Sequence, residues 1–293
     1  PTTLFRLANV RAKGNAAASF FAMLGQIRKP DPPETGKTGP AGRTFMPLAS
    51  AASKKVGLFA TCLVNTMRPR VGFAALKLLE EAGFEVTVPK EQTCCGQPNY
   101  NSGDRNGARA MAEHFLKTYE GFDYVVVPSG SCGAMVRVHY PKLFEEGDPR
   151  RPRMEALAGR TYELVSFLSD VVGIELAPAT VPLSVTYHDA CSGLRELGIK
   201  AQPRALIGQK KCEVKEMEDA EVCCGFGGLF CVKYPEVSGE MVRRKTEAAL
   251  ASGADALVTG DVGCLLNMEG ALLREGKDIK ALHIAELLAD MTE

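Results

Sequence analysis

Hydrophobic and polar positions along the chain alternate between two rhythms. Short apolar runs of strand length, "KVGLFATC" (55–62), "FEVTVP" (84–89) and "YVVVPS" (124–129), read as buried β-strands. Between them "GFAALKLLEEAG" (72–83) repeats its apolar residues at helical spacing and ends at Gly83. "ARAMAEHFLKTYEG" (108–121) sets Ala108, Met111, Ala112, Phe115, Leu116 and Tyr119 on one face and stops at Gly121. In the second half "LSVTYH", "CEVKEM" and "DALVTG" match these strands. Each half closes with a helix, "ELVSFLSDVVG" (163–173) and "HIAELLADM" (283–291). Strands alternating with helices predict parallel sheets with helices on their faces.

The rhythm is written twice. Cys62, Cys94 and Cys95 recur 129 positions later as Cys191, Cys223 and Cys224. Gly121, Asp123 and Cys132 recur 132 positions later as Gly253, Asp255 and Cys264. The expected fold is α/β: two tandem duplicated parallel-sheet (Rossmann-like) domains, 54–178 and 179–293, behind an extended N-terminal arm, 1–53.

Composition changes this reading in two places. With 45% hydrophobic and 24% charged residues the chain is that of a globular protein, and its net charge of zero gives no basic footprint for nucleic acid. Residues 1–53 carry seven Lys/Arg against two Asp/Glu, a charge of +5, so the remainder carries −5. In the arm, Phe20, Phe21, Leu24 and Ile27 form an apolar stripe, and a Pro/Gly-rich stretch (30–47) follows. A segment that docks on a partner subunit is the expectation, with peripheral membrane association as the alternative. The uncharged run Gly14–Ile27 is broken by Asn15, Ser19 and Gln26 and is too short to span a bilayer. A cytoplasmic location, where thiols stay reduced, is therefore expected.

Ten cysteines then call for a use other than disulfides. Neighbouring cysteines strain the geometry of a disulfide, yet "TCCGQPNYNSG" (93–103) and "VCCGFGG" (222–228) both pair them. Cys62, Cys132, Cys191 and Cys264 stand at or just past strand ends, and each CCG lies in a strand-to-helix loop. Parallel sheets gather ligands at those ends. The spacings C-x31-CC-x36-C and C-x31-CC-x39-C lack the CxxC knuckles of zinc sites. Two adjacent sulfurs reach different irons of a polynuclear cluster, so iron–sulfur is favoured and zinc is the alternative.

Other candidates are weaker. His188, three residues before Cys191, reads as a buried hydrogen-bonding histidine or as a group beside the metal. Cys212 and Cys231 fall outside the repeat and read as packing residues. "GFGG" (225–228) has Phe230 where a dinucleotide loop needs glycine, and "GKT" (36–38) has Asp31 where a P-loop does. No Ser/His/Asp order or paired-carboxylate motif stands out, so catalytic residues stay unassigned.

The duplicated C…CCG…C unit, with "CCGQPNYNSG", "VPSGSC", "CCGFGG", "GCLLNMEG" and "HIAELL", resembles the cysteine-rich CCG domain over residues 55–291. That family includes the cysteine-rich subunit of heterodisulfide reductase, the iron–sulfur subunit of glycolate oxidase and the E-type subunit of some succinate dehydrogenases. The resemblance implies an electron-transfer subunit of a complex that oxidises lactate or a similar 2-hydroxy acid, with a ferredoxin-like iron–sulfur partner subunit. It implies ligands Cys62, Cys94, Cys95 and Cys132 in one half and Cys191, Cys223, Cys224 and Cys264 in the other. In heterodisulfide reductase each unit ends in CxxC, whose extra cysteine serves a non-cubane cluster. Here Ser129 and Asp261 take that place. The expectation is one 4Fe–4S cluster per half, or a non-cubane form with Asp261, Ser129 or His188 as a further ligand. The alternatives are a heterodisulfide-reductase-like or succinate-dehydrogenase-like respiratory subunit, and a zinc-stabilised assembly module without redox function.

Overall fold

Residues two apart on a strand share a face, and in both sheets this alternation sends apolar side chains into two different cores. The computed structural model describes residues 54–292. The arm, 1–53, lies outside the described residues, and with it the docking role read from its sequence.

The first sheet holds β1 (Lys55–Leu58), β2 (Glu85–Thr87), β3 (Tyr124–Val127) and β4 (Thr161–Glu163), all parallel, in the order β2-β1-β3-β4. The second repeats it with β5 (Ser184–His188), β6 (Glu213–Val214), β7 (Ala256–Thr259) and β8 (Lys280–His283), in the order β6-β5-β7-β8. The fold is thus the duplicated parallel α/β architecture that the alternation predicts. Strands β4 and β8 are an addition to it. They hold three and four residues, too few for a period-2 pattern to show, and each runs straight into the closing helix of its half.

The α-helices of the first half are α1 (Cys62–Met67), α2 (Pro69–Glu81), α3 (Gln97–Asn101), α4 (Arg105–Tyr119), α5 (Gly130–Ala134), α6 (Arg150–Gly159) and α7 (Leu164–Ser166), which a π-helical segment (Phe167–Val172) continues. The second half has α8 (Cys191–Leu197), α9 (Ala201–Gln209), α10 (Phe230–Lys233), α11 (Pro235–Ala251), α12 (Val262–Arg274) and α13 (Ile284–Leu288). Local chemistry sets their ends. Pro69 and Pro235 begin α2 and α11, where a missing N–H costs nothing. The Asp104 carboxylate caps α4 by accepting the Gly107 amide at 2.9 Å.

On β1 and β3, Val56, Leu58 and Val126 face a central core, while Val125, Val127 and Phe59, the residue after β1, face an outer one. On β7, Ala256 and Val258 face the central core and Leu257 a second outer core. The central core belongs to both halves: Leu78 and Leu79 of α2 join Leu287 and Leu288 of α13 in it. The halves therefore do not close separate cores, as two beads on a string would. Polar contacts reinforce this junction, with Arg70 donating to the Met291 carbonyl at 2.6 Å and Lys77 to that of Ala289 at 2.7 Å. Where α5 crosses α8, Gly130 meets Gly193 so closely that a Cβ on Gly130 would lie 3.1 Å from the Gly193 backbone. Among the described residues no helix is long and apolar enough to cross a membrane.

Candidate metal centres

Strand order places the cysteines. In each sheet the central strand has the second strand on one side and the third on the other, so the three loops that follow them adjoin. This reversal of strand order is the crevice where parallel sheets take ligands. Cys62 opens α1 directly after β1, Cys94 and Cys95 follow β2, and Cys132 lies in α5 after β3. Cys191, Cys223, Cys224 and Cys264 repeat these stations around β5, β6 and β7. Each CCG glycine has a left-handed backbone, φ +72° at Gly96 and +86° at Gly225. A Cβ there would collide with Met111 or Met241 at 2.9 Å, so only glycine lets the loop turn against the helix behind it.

The loops gather the thiols without bonding them. Sγ of Cys62 and Cys94 are 3.9 Å apart and those of Cys95 and Cys132 are 3.2 Å apart, against about 2.05 Å in a disulfide. All of the cysteines are free. In the second half the Cys191 thiol donates to Cys223, and Cys224 neighbours Cys264. Cys94 and Cys223 are held well below the ordinary thiol range, first by the thiol hydrogen bond from Cys62 or Cys191, then by that from Cys95 or Cys224. The same bonds, with burial second, push Cys62 and Cys191 up. Each group thus favours one thiolate, Cys94 or Cys223, bonded by two of the other thiols. Four sulfurs in one crevice, half of them buried, suit a thiophilic metal centre. The carbonyl of the second cysteine in each pair is fixed as well, by the Tyr140 hydroxyl on Cys95 at 2.8 Å and by Asn267 Nδ2 on Cys224 at 2.9 Å.

The surroundings of the two groups differ. Gly96 abuts Ala108 and Met111, and Gly225 abuts Ser238 and Met241, so α4 and α11 correspond with a displacement of 130. Phe115 then corresponds to Lys245, and Phe59, displaced by 129, to His188. Phe59 and Phe115 meet edge to face at 5.2 Å under the first thiols. Under the second, His188 and Lys245 are both buried. Burial, and next the Lys245 charge, pull the His188 imidazole down to about 4. Burial likewise lowers the Lys245 ammonium, which donates to the Asp219 carbonyl.

Ser129 and Asp261 meet each other. Ser129 Oγ donates to Asp261 Oδ2 at 2.9 Å, and the Ser131 amide donates to the same oxygen at 2.9 Å. Oδ1 accepts the Gly263 amide at 3.0 Å and caps α12. Beside this clasp, Gly130 N–H reaches the Gly260 carbonyl at 3.3 Å. Of the candidate residues, the structure brings His188 to Cys224 and Cys264, with one ligand atom of each within 4.8 Å of the others. Asp261 lies beside the second thiols with both oxygens engaged. Cys212 packs in the central core, and Cys231 bonds the Gly228 carbonyl at 3.1 Å. Sequence reading missed Glu163 and His283, which stand where β4 and β8 become helices. Glu163 accepts the Val165 amide at 2.8 Å, and His283 Nδ1 accepts that of Ala285 at 3.2 Å. Burial pushes Glu163 up to about 8 and His283 down to about 4. For His283 the signal available was Glu286 three residues on, the far side of a capping box; Glu163 is not a residue type that announces a cap.

This geometry agrees with the comparisons. A family model described as a cysteine-rich domain, CCG, matches residues 56–137 and again 185–269. Lactate utilization protein A of Exiguobacterium sp. is 46% identical over 236 residues, covering 80% of this chain and 96% of that protein. Its namesake from Macrococcus caseolyticus is 44% identical over 240 residues, covering 82% and 98%. Among solved structures, an aspartate racemase homologue from Pyrococcus horikoshii OT3 covers 80% of this chain and 95% of its own at 10% identity and a TM-score of 0.31, too distant to inform function. With two matched copies and relatives aligned along nearly their whole length, the chain belongs to the CCG cysteine-rich domain family.

Proposed function

We propose that this chain is an iron–sulfur electron-transfer subunit of a complex that oxidises lactate or a related 2-hydroxy acid. One centre is held by Cys62, Cys94, Cys95 and Cys132, the other by Cys191, Cys223, Cys224 and Cys264. The observation that carries the reading is the gathering of four unbonded thiols at the strand-end crevice of each half. Relatives named for lactate utilization supply the substrate class. A cluster bound at these thiols would supply one-electron transfer. The protein's part is to place eight sulfurs, exclude water from the deeper ones and fix the loops through Tyr140 and Asn267. Ser129 and Asp261 bond each other and join the halves, leaving four cysteines as the sulfur ligands of each centre.

Oxidising a 2-hydroxy acid to the 2-oxo acid releases two electrons and two protons. No catalytic base is assigned in this chain, so that step belongs to a partner subunit, with a ferredoxin-like subunit as electron donor or acceptor. The test is anaerobic purification with iron, sulfide and zinc analysis. Iron and acid-labile sulfide, with visible absorbance that bleaches on reduction, support the reading. Stoichiometric zinc in a colourless protein overturns it.

A further inference from the structure

The second centre contains a polar group that the cysteine pattern does not require. His188 ends β5 fully buried, and neither of its ring nitrogens has a hydrogen-bond partner. The Ala220 carbonyl beside the ring lies outside hydrogen-bond geometry and accepts the Asp189 amide at 3.1 Å. A nitrogen of the imidazole stands within 4.8 Å of Sγ of both Cys224 and Cys264. Burying an imidazole with no partner sacrifices its hydrogen bonds to water, which native folds do only where something else takes their place. Next to His188 on the same face of the sheet, the hydroxyl of Thr259 is also buried and unpartnered. The corresponding places in the first half hold Phe59 and Val127, which need no partner. Two copies of one unit therefore differ at the position that looks straight at the sulfurs.

We infer that His188 supplies a ring nitrogen to the second metal centre, making the two centres unequal: sulfur alone in the first half, sulfur and nitrogen in the second. The inference rests on the iron–sulfur reading above. A nitrogen at the centre, or an N–H turned onto its sulfurs, draws electron density away and makes reduction easier. The buried Lys245 ammonium, whose charge bears on Cys223 and Cys224, acts in the same direction through space. The aromatic box of Phe59 and Phe115 gives the first centre neither effect. Electrons reaching the chain accordingly settle in the second half, and transfer within the chain runs from the first centre to the second.

The test uses the anaerobically purified full-length protein, native and His188→Phe, with and without 15N-labelled histidine. Iron and sulfide are measured first, then the reduced samples are compared by pulsed electron paramagnetic resonance. The expected result is a nitrogen coupling in the native protein that changes with 15N-histidine and is absent from His188→Phe. The variant should also lower the midpoint potential of one centre and leave the other in place. If His188→Phe fails to load its second centre, the labelled native protein still decides, because its coupling either follows the isotope or does not. Iron and sulfide present without a histidine nitrogen coupling overturns this inference alone. Absence of iron and sulfide overturns it together with the iron–sulfur reading.

Discussion

Beneath the thiols of the first half the sheet presents Gly57, Phe59, Val125 and Val127; beneath those of the second, the same stations carry Thr186, His188, Leu257 and Thr259. The first face packs against Phe115, Tyr119 and Tyr140. The second leaves the hydroxyls of Thr186 and Thr259 and both nitrogens of His188 without partners. What the duplication keeps is geometric: cysteines at strand ends, left-handed glycines after each pair, and methionines behind those glycines. What it lets diverge is the polarity facing the metal. On the reading proposed above, a repeat thus preserves the means of holding a centre while changing how readily that centre takes an electron.

Substitutions that break one half should show how far the two are separable. Cys224→Ser should cause the largest loss, removing about half of the iron and leaving the first centre spectroscopically intact. Loss of all iron would mean that the shared central core ties loading of one half to the other. Asp261→Ala comes next. It strips a cap from α12 and leaves the Ser129 hydroxyl and Ser131 amide buried without their acceptor. A destabilisation of about 3 kcal/mol is expected by urea unfolding, against about 1 kcal/mol for Ser129→Ala. Gly130→Ala should cost about 2 kcal/mol, since its new methyl meets the Gly193 backbone rather than a side chain that could turn aside.

The smallest effect compares the two buried caps. Glu163 has a folded pKa of about 8 against 4.5 unperturbed, so its stabilising contribution is complete below about 4.5 and declines as the pH rises to about 8. His283, lowered from 6.5 to about 4, contributes fully above 6.5 and loses its contribution as the pH falls toward 4. The slopes oppose each other below pH 6.5, and above it Glu163 is the one of the two still titrating. Thermal melts should show stability falling from pH 6.5 to 8, by roughly 1 kcal/mol per unit, and Glu163→Gln should flatten that fall.

Much of this was legible in the sequence. The doubled cysteine spacing located both thiol groups, and strands of four or five residues with β-branched runs, such as Tyr124–Val127, announced themselves. Strands β4 and β8 did not, because three or four residues followed at once by a helix leave no alternation to read. The shared central core was hidden for a different reason. Leu78 and Leu79 look the same in sequence whether they pack on their own sheet or on α13 of the other half. Nor could spacing alone pair Lys245 with Phe115, since the displacement of 130 falls between the two that the cysteines report. Ser129 and Asp261 stood out as departures from a cysteine pattern, but their bond to each other depends on how the halves meet.

The inequality of the two centres is tested most directly by a redox titration of the anaerobically purified protein, followed by visible absorbance and electron paramagnetic resonance. Two separate reduction steps are expected, with the higher one moving down in His188→Phe and the lower one staying in place. A single step shared by both centres, unchanged by that substitution, would contradict it.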